Sequence, residues 1–407
     1  MWMTIKLAWR NLFRNRRRTL IAGTAIGIGL AALIFTDALM IGMADHMIHS
    51  ATASFMGESQ IHGKGYRQSR DESLVIHNVS EVMKRLDKDQ RVSASTMRVM
   101  GIGTIASPAE LRPTVIWGVD PKREPALSQV KDAIFTGHYL ESGKRELVIG
   151  QRLASLLQAK IGDRVVITVA QAESGELSQQ LFRVTGIYRF GSKEMDDGMA
   201  FVQLGTLQHM LGLEGKANEI AIRFKDCQIA KNPNDPFYSE YSTNGNEAVG
   251  WQTLMPQLAV GLNLIDMSML VVGLILFGVV SLGIINTLFM SIYERMFEFG
   301  VLKAIGTRPY QIFRLIVLEA GLLSVISIVL GLIIAVAVTS WVAHIGIDYR
   351  GIEMMGVTMR EMIYPRFTIE QFWKYPLWVL GMTTLVGMYP ALYAARLIPA
   401  RAMRKSL

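Results

Sequence analysis

Hydrophobic and polar positions divide the 407-residue chain into long apolar blocks and stretches of mixed sequence. The apolar blocks carry almost no charge and cover residues 20–43, 267–292, 320–343 and 376–395. About 20 apolar residues, at about 1.5 Å rise each, cross the hydrocarbon core of a bilayer. The pattern therefore predicts four transmembrane helices, at 20–43, 267–292, 313–343 and 376–396.

The mixed sequence between the first two blocks predicts a domain over residues 44–250. Its start, 44–56, has the pattern of a helical continuation of the first span. Strand-like runs bounded by turn residues follow at 59–62, 115–117, 146–150, 164–170, 181–190, 200–204 and 219–224. Helical stretches separate them at 79–86, 152–159 and 207–211. The predicted fold class is an α-helical membrane protein with four transmembrane helices and a large α+β domain inserted between the first and second.

Shorter segments complete the predicted organisation. Residues 1–19 have an amphipathic pattern typical of a membrane-surface helix. Leucines at three- and four-residue spacing predict a continuous stalk helix over 251–266. A loop at 293–312 joins the second and third spans, a second external segment covers 344–375, and a tail covers 397–407.

The net charge of +8 is concentrated at the chain ends. Before the first block stand Lys6, Arg10, Arg14, Arg16, Arg17 and Arg18, and after the last stand Arg396, Arg401, Arg404 and Lys405. Basic residues flanking spans mark the cytoplasmic side of a membrane. Both termini are therefore expected in the cytoplasm and the α+β domain on the opposite face. Nucleic acid is not an expected partner, because membrane topology accounts for the charge.

The loop at 293–312 has the pattern of a short amphipathic helix. Phe297 and Val301 lie four residues apart, as do Glu294 and Glu298, so apolar and charged side chains separate onto different faces. Gly306 can end such a helix in a left-handed turn, and Thr307 followed by Pro309 can start the next. Two interpretations stay open: an interfacial anchor, or a docking surface for a cytosolic partner.

Residue types at fixed spacing in and around this loop resemble the coupling loop of FtsX-type ABC transporter permeases of the LolC, LolE and MacB group. The matching positions are Asn286, Glu294, Arg295, Glu298, Gly300, Lys303, Ala304, Gly306, Gln311, Glu319 and Gly321. Residues 146–197 resemble the periplasmic module of the same group. The ending resembles its C-terminal signature, with Tyr389, Pro390, Ala391, Ala395, Arg396 and Pro399 at matching places.

The resemblance implies a permease subunit in a bacterial inner membrane. It would dimerise with a second copy or a sister permease and bind two copies of a cytosolic ABC ATPase, which would hold ATP and Mg. The residues implied in ATPase coupling are Glu294, Arg295, Glu298, Gly300, Lys303, Ala304 and Gly306. No GxxxxGK[ST] phosphate loop is present, so the chain itself is not expected to be an enzyme or to bind a cofactor.

The resemblance also favours a function in lipoprotein release from the inner membrane. MacB-like export of a peptide or other amphiphile, and FtsX-like transmembrane signalling to a cell-wall hydrolase, stay open as alternatives. A periplasmic acceptor for the cargo is compatible with the first function. The cargo is therefore expected to be a lipoprotein or another amphiphile.

Further candidate residues lie in the spans. Gly23 and Gly27 have the spacing that lets helices approach closely, and Asn286 and Glu319 are candidates for helix packing. Met40, Met43 and Met47 are predicted either to line an apolar substrate groove or to pack as lipid-facing side chains. The pattern predicts neither catalytic residues nor a metal site. Asp196, Asp197, His138 and His209 are assigned solvated or structural roles, and the single cysteine, Cys227, excludes an intramolecular disulfide.

Overall fold

The computed structural model describes residues 2–14, 16–141, 145–191, 193–350, 352–354, 357–358 and 362–398. These residues belong to two compact units. The helical unit lies within residues 1–45, 262–348 and 362–407, and the β-rich unit lies within residues 46–261 and 349–361. Pro399 and the basic residues of the tail fall outside the described residues.

Most of the strands lie in the β-rich unit together with short helices, whereas the long helices belong mainly to the helical unit. The helices are α1 (Trp2–Arg14), α2 (Arg16–Ala51), α3 (Tyr66–Ser69), α4 (Val79–Lys88), α5 (Gln151–Leu156), α6 (Lys193–Gly198), α7 (Leu204–Leu211), α8 (Cys227–Lys231), α9 (Pro236–Tyr241), α10 (Trp251–Leu254), α11 (Pro256–Glu294), α12 (Met296–Ala304), α13 (Pro309–Ile345) and α14 (Gln371–Ala395). A π-helical turn, Thr52–Met56, follows α2, and a 3-10 turn covers Glu124–Ala126.

The described strands form one mixed sheet and one separate two-stranded sheet. They are β1 (Ser59–Gly63), β2 (Val92–Ala106), β3 (Leu111–Val119), β4 (Ile134–Gly137), β5 (Glu146–Gly150), β6 (Arg164–Ala170), β7 (Leu177–Tyr188), β8 (Met199–Gln203), β9 (Glu219–Phe224), β10 (Asn246–Gly250), β11 (Glu353–Met354) and β12 (Val357–Thr358). The sheet runs β10-β1-β9-β2-β3-β8-β5-β7-β4, with β6 paired to β2 and β7, while β11 and β12 form a separate hairpin. Two pairs, β3 with β8 and β5 with β7, are parallel.

Four helices among the described residues are long and apolar enough to cross a membrane, at Thr19–Met56, Pro256–Glu294, Pro309–Ile345 and Gln371–Ala395. Side chains from all four meet in one apolar core. Its members include Leu30 and Ile34 of α2, Phe277 of α11, Leu323 of α13 and Val379 of α14. Burial of this stripe is what packs the helices against each other in the helical unit.

The predicted continuous stalk over 251–266 is wrong in one respect. Helix α10 ends at Leu254, and Met255 leaves the helical region with φ −126° and ψ 70° before α11 starts at Pro256. Proline has no N–H and disfavours helical geometry in the residue before it, so the helix cannot run through this point. From Pro256 onward the helix continues without a break through the predicted second span.

A charged cluster lies inside the β-rich unit. Arg98 on β2 is fully buried, and its guanidinium donates hydrogen bonds to Glu124 (Nη2 to Oε1, 2.6 Å) and Glu219 (Nη1 to Oε1, 2.7 Å). It also lies 3.8 Å from the centroid of the Phe55 ring, in the π-helical turn after α2. Phe55 in turn packs edge-to-face on Trp117 of β3 at 5.0 Å. The cluster therefore joins four separate chain segments in the sheet core.

The predicted strands 146–150, 164–170 and 219–224 are confirmed at both ends, and the helical continuation over 44–56 is confirmed as the end of α2 and its π-turn. A tight turn joins β6 to β7. There Gln171 N donates to Glu176 O at 2.8 Å, and Gly175 adopts a positive φ of 72°. Strands β2, β4, β10, β11 and β12 were not predicted.

Candidate functional site

The loop between the second and third candidate spans forms an ordered element with a helix at its centre. Helix α11 ends at Glu294, and Arg295 leaves helical geometry with φ −106° and ψ 14°. Helix α12 follows as Met296–Ala304, and Gly306 then takes a φ of 100°, which only glycine adopts without strain. The helix and the glycine turn predicted from the sequence are therefore confirmed. The predicted separation of apolar and charged side chains is wrong, because Phe297 and Glu298 are both exposed. The residue that caps α13 is Arg308 rather than Thr307, and its N–H donates to the Gln311 side chain at 3.2 Å.

A buried ion pair connects this loop to α13. The Arg295 guanidinium donates from Nη1 to both carboxylate oxygens of Glu319, at 3.3 and 3.1 Å. Both side chains are buried, and the guanidinium lies 5.0 Å from the centroid of the Phe299 ring. A carboxylate in an apolar helix needs such a partner, because an unpaired charge would be strongly unfavourable there. Glu319 therefore fixes the end of α11 against α13.

Glu298 extends the ion pair toward the solvent-exposed side of the loop. Its carboxylate accepts a hydrogen bond from Arg295 Nε at 3.2 Å and one from Arg14 Nη1 at 2.8 Å. Arg14 is the last residue of α1, so this contact joins the N-terminal helix to α12. From the sequence alone, Arg14 is expected only to mark the cytoplasmic side of the membrane. Its separation from Glu298 by 284 positions gives no local signal for the pairing.

Lys303 attaches the other end of α12 to α14. Its ammonium donates hydrogen bonds to the carbonyl oxygens of Ala395 and Leu397, each at 2.7 Å. These carbonyls lie at the C-terminal end of α14, where the last turn of a helix leaves acceptors without intrahelical donors and carries partial negative charge. Lys303 therefore caps α14 while holding α12 in place.

The predicted coupling residues thus divide into two groups. Arg295 and Gly300 are buried and Lys303 is partly buried, so these residues hold the loop on the helical unit. Glu294, Glu298, Ala304 and Gly306 are exposed. The structure brings Arg295, Glu298 and Glu319 together and leaves Ala304 and Gly306 apart from that cluster, at the end of α12.

The outer face of the loop carries large apolar side chains. Phe297 is 50% exposed, Leu302 40%, Ile305 78% and Tyr310 67%. Beneath them Phe299 and Ile312 are buried in a second apolar cluster with Ala8 of α1 and Ala391 of α14. The loop therefore has an anchored inner face and an apolar outer face, as expected of an element that contacts a partner.

The helix-packing candidates behave differently from one another. A Cβ atom on Gly27 would lie 3.1 Å from the carbonyl oxygen of Ser327 and 3.2 Å from the amide nitrogen of Gly331, so a larger residue would require the backbone of α13 to move by a few tenths of an ångström. At Gly23 the nearest atom, Ser327 Oγ, would be 3.6 Å away, an ordinary contact. Asn286 is exposed on α11, so it takes no part in packing within this chain.

The predicted methionine groove is not supported by the structure. Met43 and Met47 are buried, and Met40 is partly buried. Side chains covered by protein cannot line an open groove. Their burial also speaks against the alternative, because a lipid-facing side chain would be exposed in the isolated chain.

The polar residues set aside in the β-rich unit have structural partners. The buried Asp196 carboxylate accepts hydrogen bonds from the amides of Phe190 (2.7 Å) and Gly191 (2.8 Å). His209 pairs with Glu214 on the surface, with 3.0 Å between Nδ1 and Oε1. In the part of the chain that the structure describes, no group of three or more His, Cys, Asp or Glu residues is placed to hold a metal ion.

Comparison with protein families assigns both parts of the chain. Residues 270–399 match the family model described as FtsX-like permease C-terminal, and residues 19–230, more than half of the chain, match the MacB-like periplasmic core domain. The chain is an FtsX-type ABC transporter permease of the LolC, LolE and MacB group. The resemblance noted at Asn286 to Gly321 is therefore confirmed at the level of the family.

Individual relatives of this permease are distant but extend over most of its length. It is 20% identical to the lipoprotein-releasing system transmembrane protein LolC of Xylella fastidiosa, over 93% of this chain and 92% of that protein. It is 22% identical to LolE of Haemophilus influenzae, over 81% of each chain. The macrolide export ATP-binding/permease protein MacB of Neisseria meningitidis is 22% identical over 84% of this chain and 54% of its own.

Proposed function

We propose that this permease couples ATP hydrolysis on a separate cytosolic ATPase subunit to movements of its periplasmic β-rich domain, and that its cargo is a lipoprotein extracted from the inner membrane. In this proposal the β-rich domain is inserted between the first and second spans on the outer face, both termini are cytoplasmic, and two permease subunits pair with two ATPase subunits. ATP and Mg belong to the ATPase.

The coupling role is supported by the way in which α12 is attached to the helical unit. Its inner face is held by charged hydrogen bonds from Arg295 and Lys303, while Phe297 and Ile305 on the outer face are exposed. A rigidly mounted apolar face transmits force from a partner, whereas a loosely attached loop would absorb it. Glu294 and Glu298 add exposed negative charge beside this face, for basic residues of the ATPase.

The lipoprotein cargo is proposed from the extent of the alignments with related proteins. The alignment with LolC covers 92% of that protein and the alignment with LolE covers 81%, whereas the alignment with MacB covers 54% of that protein. Export of a peptide or another amphiphile in the manner of MacB is the second candidate, since that alignment still spans 84% of this chain.

The coupling role is tested by replacing Phe297 and Ile305 together with serine and isolating the complex gently from its host membranes. Buried anchor residues dominate interface energy, so we expect the amount of co-purified ATPase to fall by about tenfold or more. The control is Ile369→Ser, because Ile369 is 86% exposed but lies outside the loop. Equal recovery of ATPase with both variants would rule out α12 as the docking element.

Native mass spectrometry of the wild-type complex tests the cargo. An acylated polypeptide bound to two permease and two ATPase subunits is the expected result. An unacylated amphiphile in its place would favour the MacB-like alternative. A soluble cell-wall hydrolase without acylated cargo would favour the signalling function instead.

A further inference from the structure

Helix α11 carries a row of exposed side chains with the spacing of a coiled coil. Steps of four and three residues alternate along one side of the helix, and every residue they reach is exposed: Ser268, Val272, Ile275, Val279, Leu282 and Asn286. Alternating steps of this kind form the heptad repeat with which two helices pack side by side. We call these six residues the α11 row. The exposed fraction of its apolar members ranges from 38% at Val272 to 70% at Leu282.

The α11 row faces away from the core of the helical unit. Phe277 and Ile284, on the other side of α11, are buried in the core that the long helices share. At 100° per residue, Ile284 points about 200° away from Leu282 and from Asn286. The next heptad position after Asn286 is Phe289, whose ring lies 5.6 and 5.4 Å from the rings of two tyrosines of α14, Tyr389 and Tyr393. The row therefore ends at Asn286, and no described helix buries it.

Asn286 distinguishes the row from a surface that lipid alone could cover. It lies in the apolar stretch 267–292, about 12 Å along the helix axis before Glu294, the last residue of α11. Its amide is exposed and makes no hydrogen bond in the part of the chain that the structure describes. Hydrocarbon chains offer an amide neither a donor nor an acceptor. Because an unpaired amide is unfavourable in an apolar environment, Asn286 needs a partner from outside this chain.

A second copy of this chain has the complementary chemistry. Copies inserted into one membrane with the same topology run parallel, so a two-fold axis beside the row brings each residue opposite its equivalent. The N–H of one Asn286 amide can then donate to the carbonyl oxygen of the other, because an amide is both donor and acceptor. No other register of two identical helices brings the two amides together.

The residue types of the row also fit a pair of helices. Val272, Val279 and Asn286 follow one another at the a positions of the heptad, and Leu282 occupies a d position. β-branched residues at a with leucine at d favour two strands, and a single asparagine at an a position fixes the register. We propose that two copies of the permease pair along the α11 row, with their Asn286 amides hydrogen-bonded across the two-fold axis. The proposal rests on the proposed function for the presence of two permease subunits, and it names the second subunit as an identical copy.

The test is disulfide formation between full-length chains in their membranes. Cys227→Ser removes the single cysteine, and Leu282→Cys then places one in the row. Two copies with different affinity tags are expressed together and oxidised with copper phenanthroline. The matched control is Leu274→Cys on the same helix, because Leu274 is 56% exposed but occupies heptad position c, outside the contact of two helices. We expect Leu282→Cys to form a dimer that carries both tags at least ten times faster than Leu274→Cys.

Asn286→Leu tests the amide itself. In the Leu282→Cys background it should slow dimer formation by about tenfold, since hydrogen bonds between polar side chains hold membrane helices together. Asn263→Leu is the control, because it makes the same change at an exposed position of α11 outside the row. Its rate should equal that of the parent. Size-exclusion chromatography in detergent establishes that each variant is folded.

Three outcomes would overturn the proposal. Equal rates at positions 282 and 274 would remove the row as the contact, and an unchanged rate with Asn286→Leu would remove the role of the amide. A complex in which native mass spectrometry finds one copy of this chain with a different permease would exclude the identical partner. Disulfide formation requires no ATPase, so failure of α12 to dock an ATPase would leave the rates unchanged and remain a separate result.

Discussion

Two arginine clusters of the same composition occupy the two units, and their surroundings differ. In the β-rich unit Arg98 binds Glu124 and Glu219 at 2.6 and 2.7 Å, and the three side chains are 0%, 0% and 5% exposed. In the helical unit Arg295 binds Glu319 and Glu298 at 3.1 and 3.2 Å, and these side chains are 9%, 11% and 46% exposed. The first cluster is closed, and the second opens toward solvent and toward a polar cavity at the end of α11.

The difference shows that burial, rather than residue type, decides what an ion cluster contributes. In a closed apolar core each charge depends on its partners, because no water can replace them. At a partly open site, water and exposed neighbours such as Arg14 also interact with the charged groups. Replacing one ionic contact with another therefore costs little free energy. The closed cluster is suited to holding a sheet core rigid. The open cluster is suited to a loop that responds to a partner.

The largest expected effect is at Arg98. Arg98→Met leaves two buried carboxylates without a counter-charge, and breaking a buried pair costs about 3–5 kcal/mol. For a unit of this size we expect the midpoint of thermal unfolding to fall by about 10 °C. The measurement is the melting of the full-length protein in detergent, followed by fluorescence of the buried Trp117 and Trp251.

Lys216→Met is the control for Arg98, because its ion pair with Glu173 is on the surface. A third variant, Arg98→Met combined with Glu124→Gln and Glu219→Gln, removes all three charges. It should recover part of the lost stability. Equal melting of Arg98→Met and Lys216→Met would contradict the structural role of the cluster.

A smaller loss is expected at Glu319. Glu319→Gln removes the charge of the carboxylate but keeps the shape of the side chain. Arg295 then loses its most buried partner but keeps its hydrogen bond to Glu298 and its place beside the polar cavity. We expect a cost of about 1–3 kcal/mol. The double variant with Arg295→Gln should cost less than the sum of the single variants, and a double-mutant cycle on thermal unfolding measures that difference. Strict additivity would show that the two residues do not interact.

Asp89 is partly buried, and its contribution to the free energy of unfolding can be measured as a function of pH. Hydrogen bonds from the Arg91 side chain, with others from its amide and from Tyr241, lower the pKa of Asp89 to about 2. The unfolded chain has a pKa near 3.9 and so binds this proton more readily. The stabilisation is therefore complete above about pH 4 and is lost as the pH falls toward about 2.

The contribution of Asp89 should be about 1–2 kcal/mol. It is measured as the difference in unfolding midpoint between wild type and Asp89→Asn across pH 2–5, since other carboxyl groups titrate equally in both. Asp132→Asn, at an exposed position, is the comparison variant. A difference between wild type and Asp89→Asn that does not change with pH would contradict the lowered pKa.

The smallest effect is expected at Arg14. Its side chain is 56% exposed, and a surface ion pair such as that with Glu298 contributes about 0–1 kcal/mol. Arg14→Gln should therefore change thermal unfolding very little, and the small change should disappear at high salt. A loss as large as that of Glu319→Gln would mean that the open cluster is as rigid as the closed one.

Local pattern was sufficient for several elements of the fold. Strands β5, β6 and β9 consist of alternating or consecutive apolar residues with turn residues at each end. Their limits therefore follow from the sequence. Strand β2 was missed because Arg98 and several Ser and Thr residues interrupt its apolar pattern, although Arg98 and Thr96 are buried. A buried charge resembles an exposed one in the sequence, and only its distant partners show the difference.

The sequence by itself determined the apolar helices, the short helix of the loop with its glycine turn, and the family, because composition, periodicity and residue spacing are local properties of the chain. Tertiary structure alone decided that Met43 and Met47 are covered, that Lys303 caps α14, and that Arg295, Glu319 and the polar cavity lie together. Lys303 and Ala395 are separated by 92 positions, and Arg14 and Glu298 by 284. Contacts over such separations depend on helix packing in three dimensions, for which a single sequence carries no periodic signal.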